Sequence, residues 1–405
     1  MGKQLHIIGG GAAGFFCAVN AARMDRQLKV TIIEKSNKLL SKVRISGGGR
    51  CNVTHACFDI VEMSKRYPRG QHFVRKAFHQ FFTTDTIGWF QERGVQLKTE
   101  EDGRMFPVTD SSQTIIDCLL KEASKYGVEI LLKSEVRSLV YENGRFQIET
   151  SDFRHHTPGI LCIASGGYPK SSMFDWLKNT GHSIEEPVPS LFTFNLPNHP
   201  LTKLMGVSVE NAKVKIEGLE QTGPLLITHW GLSGPAILRL SAWGAKELKI
   251  KNYELSIIIN WIADHNEETL RKKIIELRNT RASQRIMNKN PFGLPSRLWE
   301  FLAEASGIKN DWRWADLPSA EQNKFIKSLC AYECGVKGKT TFKEEFVTAG
   351  GIRLSEVDPN TMMSKKLPNL FFAGEVLDVD GITGGFNFQH AWTSGWIAAK
   401  AIASL

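Results

Sequence analysis

Gln4-Leu-His-Ile-Ile-Gly-Gly-Gly-Ala-Ala-Gly14 opens the chain with a short apolar run that breaks on glycine and passes into an alanine-rich segment. Residues 4–8 have the composition of a buried strand and 12–24 that of a helix, so the glycines occupy the turn between them. In Gly9-x-Gly11-x-x-Gly14 each glycine has a physical task. Gly9 permits the tight turn, Gly11 keeps a Cβ out of the path of an approaching pyrophosphate, and Gly14 lets the helix lie close to the strand. Ala12 and Ala13 begin that helix, whose free N–H groups and dipole favour negative charge. A second apolar run, 29–33, ends at Glu34, twenty residues beyond Gly14, followed by Lys35. A carboxylate there accepts hydrogen bonds from an adenosine ribose, and strand, helix and strand together make the βαβ opening of a parallel sheet.

Working outward, helical patterns recur at 83–92 and 112–126, and 128–132 returns as a strand. The runs 136–141, starting at Val136, and 145–150 flank Glu142-Asn143-Gly144 as a β-hairpin. An apolar strand at 159–164 ends on Ser165-Gly166-Gly167. Near Pro187 the character changes to short β-like runs such as 207–216 and 255–259. Residues 266–333 read as helical and basic, broken by Pro291, Pro295 and Pro318. After Thr348 the α/β style resumes, with a strand at 370–373 ending on Gly374-Glu375, then Gly384-Gly385 and a closing helix at 388–403. The expected fold is α/β, with a Rossmann-type dinucleotide domain of residues 1–190 and 346–405. It is interrupted by a β-rich insert at 191–262 and a small basic helical insert at 263–345.

Three glycine turns at the carboxyl ends of strands, and a last helix whose N–H groups can hold the polar edge of a flavin, point to FAD. There is no second GxGxxG unit, so NADH or NADPH, if it supplies the electrons, visits transiently.

The 405 residues are 42% hydrophobic and 23% charged, which excludes a disordered or fibrous chain. The run 7–22 carries a glycine cluster and no basic leader, unlike a signal peptide. The run 255–262 is too short for a bilayer, and Met1-Gly2 lacks the hydroxyl residue at position 6 that myristoylation uses. A cytoplasmic protein without a membrane partner is expected. Seven cysteines with no CxxC pair argue against a disulfide scaffold or a metal site. Cys330 and Cys334, four apart in a helical pattern, are expected on one buried helix face. Of the net charge of +9, the segment 271–297, from Arg271 to Arg297, carries eight basic residues and one acidic, Glu276.

Ser46-Gly-Gly-Gly-Arg-Cys-Asn52, Thr228-His-Trp-Gly-Leu-Ser-Gly-Pro235 and Gly374-Glu-Val-Leu-Asp-Val-Asp-Gly-Ile-Thr-Gly-Gly385 resemble the bacterial flavoprotein family that includes aminoacetone oxidase and BaiN-like ene reductases. The resemblance runs from the first strand to the last helix. It implies an FAD-binding fold like that of glutathione reductase, with a β-rich and a small helical insert. Members are linked to amine oxidation, reduction of conjugated C=C bonds, and reduction of uridine in ribosomal RNA. Carried over by position, Gly9, Gly11, Gly14 and Glu34 bind the adenosine diphosphate half, and Ser46, Gly48, Gly49, Arg50, Cys51 and Asn52 wrap toward the flavin. Asp380, Gly381, Gly384, Gly385, Phe386 and Asn387 meet ribityl and flavin atoms. Phe386 stands where a tyrosine is common and Met363 where a glutamate is common, which leaves any role for that hydroxyl or carboxylate unfilled.

A flavin carries its own hydride chemistry, so no acid or base is obligatory and no catalytic residue is assigned. Arg50 reads as a contact for phosphate or a substrate anion, or as a surface arginine. Cys51 reads as half of a redox disulfide or, since Cys57 is poorly spaced as a partner, as a small packed thiol. His229, His390 and Arg104 are each open between a site role and a local one. The expected activity is hydride transfer from NAD(P)H through FAD to a conjugated C=C in a small-molecule substrate. The alternatives are an amine oxidase, a non-catalytic redox sensor, and uridine reduction in ribosomal RNA. In the last, the segment 271–297 binds phosphate and Trp299, Trp312 and Trp314 either stack on bases or sit in the core.

Overall fold

The computed structural model describes residues 3–288, 290–340 and 347–405, so Met1-Gly2, Lys289 within the basic segment and the 345/346 boundary lie outside it. The chain divides into two compact units, one of residues 1–190 with 342–405 and one of 191–341.

The first unit is built on a five-stranded parallel sheet. Gln4–Ile8 lies at its centre, flanked on one side by Lys29–Ile33 and Glu129–Leu131 and on the other by Ile160–Ile163 and Leu370–Phe372. The strand order reverses between Gln4–Ile8 and Ile160–Ile163, which makes the crevice beyond their carboxyl ends the place where such sheets bind ligands. The helix Ala12–Met24 is buried almost all round because the closing helix, Phe386–Ala403, packs along its other side. Gly395 allows that approach, since a Cβ there would lie 2.7 Å from the Ala13 carbonyl oxygen. The closing helix begins at Phe386, two residues earlier than its apolar pattern suggests. The strand by which the chain leaves this unit, Ile184–Ser190, pairs antiparallel with the strand by which it returns, Val347–Ile352.

The second unit carries a seven-stranded antiparallel sheet with the helices Glu267–Thr280, Ser296–Ala305 and Ser319–Cys330 on one continuous apolar core. The β-rich and helical stretches thus share a core. The helical pattern expected to run to residue 333 stops at Cys330, and Tyr332–Lys337 becomes a strand against Glu254–Asn260. Cys330 and Cys334 therefore do not share a helix face. Both are buried, one at a helix end and one in the sheet, because the inward alternation of Cys334 and Val336 suits a strand. Trp299 and Trp314 belong to this core at 1% and 0% exposure, which removes them as base-stacking surfaces; Trp312 is half-buried.

Candidate functional site

At the switch point, Gly9 has φ +113° and its added Cβ would lie 2.3 Å from the Ala164 carbonyl oxygen. A Cβ on Gly14 would lie 2.0 Å from the Gly9 carbonyl oxygen, so strand and helix touch through bare backbone. Gly11 differs: a Cβ there meets nothing within 4 Å. The space beside it opens onto the first turn of the helix, which has no side-chain cap and no acidic residue. Such a terminus is a ready anion site.

Glu34 accepts from Gly10 N–H through Oε2 and from Ser36 N–H through Oε1, both at 2.8 Å, which fixes its carboxylate. That carboxylate lines a cavity together with Gly9, Lys35, Val136, Ser165, Tyr168 and Trp176. Five residues expected to bind the cofactor, Gly9, Glu34, Lys35, Val136 and Ser165, thus meet around one space. Gly166 and Gly167 follow Ser165, and Glu375 reaches back to them, its Oε1 accepting from Thr348 N–H at 2.9 Å and its Oε2 from Lys42 at 2.5 Å. Gly374 donates its N–H to Ser394 Oγ at 2.8 Å, tying the last strand to the closing helix.

The segment after Ser46 turns through three left-handed glycines, of which Gly48 and Gly49 likewise face open space. Arg50 is already engaged: it pairs with Glu100 at 2.5 Å and with Asp110, and its guanidinium lies 4.0 Å above the Phe106 ring. Arg104 pairs with the same Glu100 and with Asp102. Cys51 is fully buried at φ +61°, and burial pushes its thiol up to about 12. It is a packed thiol; no disulfide joins it to Cys57, and both cysteines are free. Almost none of Cys51 would be thiolate at pH 8. Iodoacetamide at that pH is therefore expected to leave the Cys51 peptide unmodified by mass spectrometry in the folded protein; rapid alkylation would reopen the redox-disulfide reading.

At the far end, the turn Gly384-Gly385 feeds the closing helix and is held from several sides. With its amide turned so that oxygen faces Gly385 N–H (2.9 Å), Asn52 also donates to the Thr54 carbonyl. His55 Nδ1 donates to the Gly384 carbonyl at 3.0 Å, and its ring stacks on Phe386 at 4.7 Å. Tyr67 Oη donates to the Phe386 carbonyl at 2.6 Å. Asn387 clips Gly381, accepting from its N–H at 2.8 Å and donating to its carbonyl at 2.9 Å. Asp380, expected to face a ribityl chain, is instead fully buried, bidentate with Arg69 and accepting from Ser190 Oγ at 2.8 Å. Asp380 and Asn387 thus fix backbone, Asn387 taking up the Gly381 N–H as Asn52 takes up that of Gly385. His55, Tyr67 and Arg69 carry no local motif and were not legible in the sequence.

His390 is buried within the closing helix, with Nε2 at 3.3 Å from the Gly374 carbonyl, and burial lowers it to about 4. His55 is also lowered by burial, against the pull of the Gly384 carbonyl. Neither stores a proton at neutral pH. His229, in the second unit, is exposed and packs edge-on against Trp230 at 4.4 Å. Among the described residues no helix is long and apolar enough to cross a membrane, and no cluster of three or more His, Cys, Asp or Glu could hold a metal ion.

The open faces of Gly11, Gly48 and Gly49, the uncapped helix start and the Glu34 cavity fit an adenine dinucleotide. Comparison with known proteins agrees. The chain is 32% identical over 406 residues to the ribosomal RNA dihydrouridine synthase of Escherichia coli (97% of this chain, 96% of that protein). It is 28% identical over 419 residues to the 3-dehydro-bile acid delta(4,6)-reductase of Clostridium scindens (99% of each). Its fold is similar to that of the 3-ketosteroid-Δ4-(5α)-dehydrogenase of Rhodococcus jostii RHA1, with TM-score 0.52 and 12% identity over 99% of this chain and 97% of that one. The HI0933-like protein Rossmann domain matches residues 3–401, and the chain belongs to that family of FAD-binding, flavin-dependent oxidoreductases.

Proposed function

We propose that the protein takes hydride from NADH or NADPH through bound FAD and delivers it to a C=C bond conjugated with a carbonyl. The observation that carries this reading is the immobilised start of the closing helix, where Asn52, His55, Tyr67 and Asn387 hold the turn so that its N–H groups keep one direction. Fixed donors at a helix start stabilise negative charge as it develops, without reorganisation. FAD supplies reversible two-electron chemistry there. Gly9, Gly11 and Gly14, with Ala12 and Ala13, would hold its diphosphate, Glu34 and Lys35 its adenosine, and Ser46, Gly48, Gly49 and Asn52 the path between. The N–H groups of Gly384 and Phe386 would face the flavin, with Gly381 and Gly385, whose N–H groups are donated to Asn387 and Asn52, shaping the turn. The C. scindens relative is named for reduction of double bonds conjugated to a ketone, which supports the acceptor class.

A second reading has the same chemistry on uridine in ribosomal RNA, favoured by the E. coli relative's name. The C5=C6 bond of uracil is conjugated to its C4 carbonyl, so one site geometry serves both. Anaerobic titration of the purified protein with NADH and NADPH is expected to bleach the oxidised flavin band. The reduced protein is then expected to regain that band on addition of an enone or a uridine-containing ribosomal RNA fragment. A flavin that stays oxidised with both nucleotides would sink the reductase reading and favour an amine oxidase or a redox sensor.

A further inference from the structure

We infer that Arg285 and Arg313 form a clamp for the phosphodiester backbone of structured RNA, an inference that rests on the uridine reading above. The two residues face each other across an isolated antiparallel bridge in the second unit. Ile286 N–H donates to the Trp312 carbonyl at 3.0 Å and Trp314 N–H to the Gln284 carbonyl at 3.1 Å, so the main-chain bonds flank the pair rather than join it. In that register the side chains share one face and stand at their closest, with Cα atoms about 4.5 Å apart. Both arginines are exposed. Like charges directly opposite are destabilising. Among the described residues neither guanidinium has a carboxylate within ion-pairing distance, and Asp316, near in sequence, accepts from the Arg313 main-chain N–H instead.

The surrounding charge has the same character. The ribbon packs beside the basic helix Glu267–Thr280, whose lysines are neutralised along it: Lys272 by Glu268 at 2.7 Å and Lys273 by Glu276 at 2.8 Å. Among the described residues its arginines have no carboxylate partner. Arg271 donates to the Asn323 amide oxygen at 2.6 Å and Arg278 to that of Gln322 at 2.9 Å, bonds that leave the positive charge uncompensated. Arg281, which caps the helix, has a buried Nη1 with no partner among the described residues. A helix C-terminus accounts for cations at Arg278 and Arg281, but not for two arginines set opposite each other on a ribbon. Paired guanidinium forks match phosphate oxygens bidentately, and a run of uncompensated arginines leading up to them suits a long, regular polyanion rather than a single ion.

The test uses the full-length FAD-loaded protein and a fluorescein-labelled hairpin of ribosomal RNA, with affinity followed from 50 to 200 mM salt. Replacing both arginines as R285Q/R313Q is expected to weaken binding about tenfold at 100 mM. The slope of log K against log salt should become shallower by roughly 1.4–1.8, the value for two lost phosphate contacts. The visible flavin spectrum and the far-ultraviolet ellipticity should not change, which shows both units folded. R285K/R313K should keep the parent slope and recover only part of the affinity, because the charge remains and the fork is lost. An unchanged slope in R285Q/R313Q defeats the clamp even if the parent reduces uridine in the hairpin. A parent that binds phosphatidylserine vesicles but not the hairpin defeats it in favour of a membrane surface. A parent that binds the hairpin with the expected slope change, yet leaves its uridines intact, keeps the clamp and defeats the uridine reading.

Discussion

A Gly11→Ala protein is expected to fold as the parent does and to lose its FAD, whereas Gly14→Ala is expected to lose its fold. The contrast follows from what each missing Cβ would meet. At Gly11 the backbone is extended, φ −92° and ψ −170°, which alanine adopts freely, and the new methyl points into open space. Nothing in the protein resists it, so the thermal midpoint without cofactor should hardly move. That same space is where a diphosphate must come close to the helix N–H groups. A methyl there holds it off and lengthens at least two charge-assisted hydrogen bonds of about 1.5–3 kcal/mol each. Affinity for FAD, read by fluorescence titration of apoprotein, should fall about 100-fold or more. At Gly14 the methyl would lie 2.0 Å from a main-chain oxygen, and neither strand nor helix can give way without opening the sheet-to-helix packing. Insoluble expression is expected there. If Gly11→Ala binds FAD like the parent, the glycine turn is structural and the dinucleotide lies elsewhere.

The same contrast shows what a sequence can disclose. Gly14 and Glu34 act on neighbours within one βαβ unit, so their spacing encodes their contacts, and the strands Gln4–Ile8 and Lys29–Ile33 fall where their apolar runs begin and end. The flavin end is assembled from 46–67 and 374–392, more than three hundred positions apart. His55 meets Gly384 and Tyr67 meets Phe386 through folding alone, and no spacing rule announces either. The resemblance implies by position that Asp380 and Asn387 meet ribityl and flavin atoms. The structure buries the Asp380 carboxylate against Arg69, and half-buried Asn387 bonds the Gly381 backbone, because a backbone turn has its own donors and acceptors to satisfy. The sequence leaves Trp299 and Trp314 open between base stacking and the core, and the structure places both in the core. A basic surface segment and an apolar core alternate along the same helices, and composition cannot tell which face a tryptophan takes.

Arg69→Met is expected to destabilise the first unit by about 3–5 kcal/mol at neutral pH, the usual effect of leaving one member of a buried pair without its partner. Asp380 has no solvent exposure and Arg69 only 12%, so water cannot replace the lost guanidinium. Burial raises the Asp380 carboxyl above its ordinary value, while Arg69 and the Ser190 hydroxyl pull it down. Because the folded value lies above the unfolded one, the folded state binds the extra proton between them, and stability falls as pH rises through that window. Without Arg69 the downward pull is gone and the window reaches higher pH. The deficit in Arg69→Met, measured by urea unfolding, should therefore be larger at pH 7.5 than at pH 5.5. The double variant R69M/D380N carries no buried charge at this position and should recover much of the loss. A deficit independent of pH, or no recovery in the double variant, would mean that Arg69 acts through packing alone. The effect should reach the site as well, since Asp380 immediately precedes Gly381, whose backbone Asn387 clips at the start of the closing helix. Flavin release should then precede global unfolding in Arg69→Met, with loss of the visible flavin bands at a lower urea concentration than loss of far-ultraviolet ellipticity.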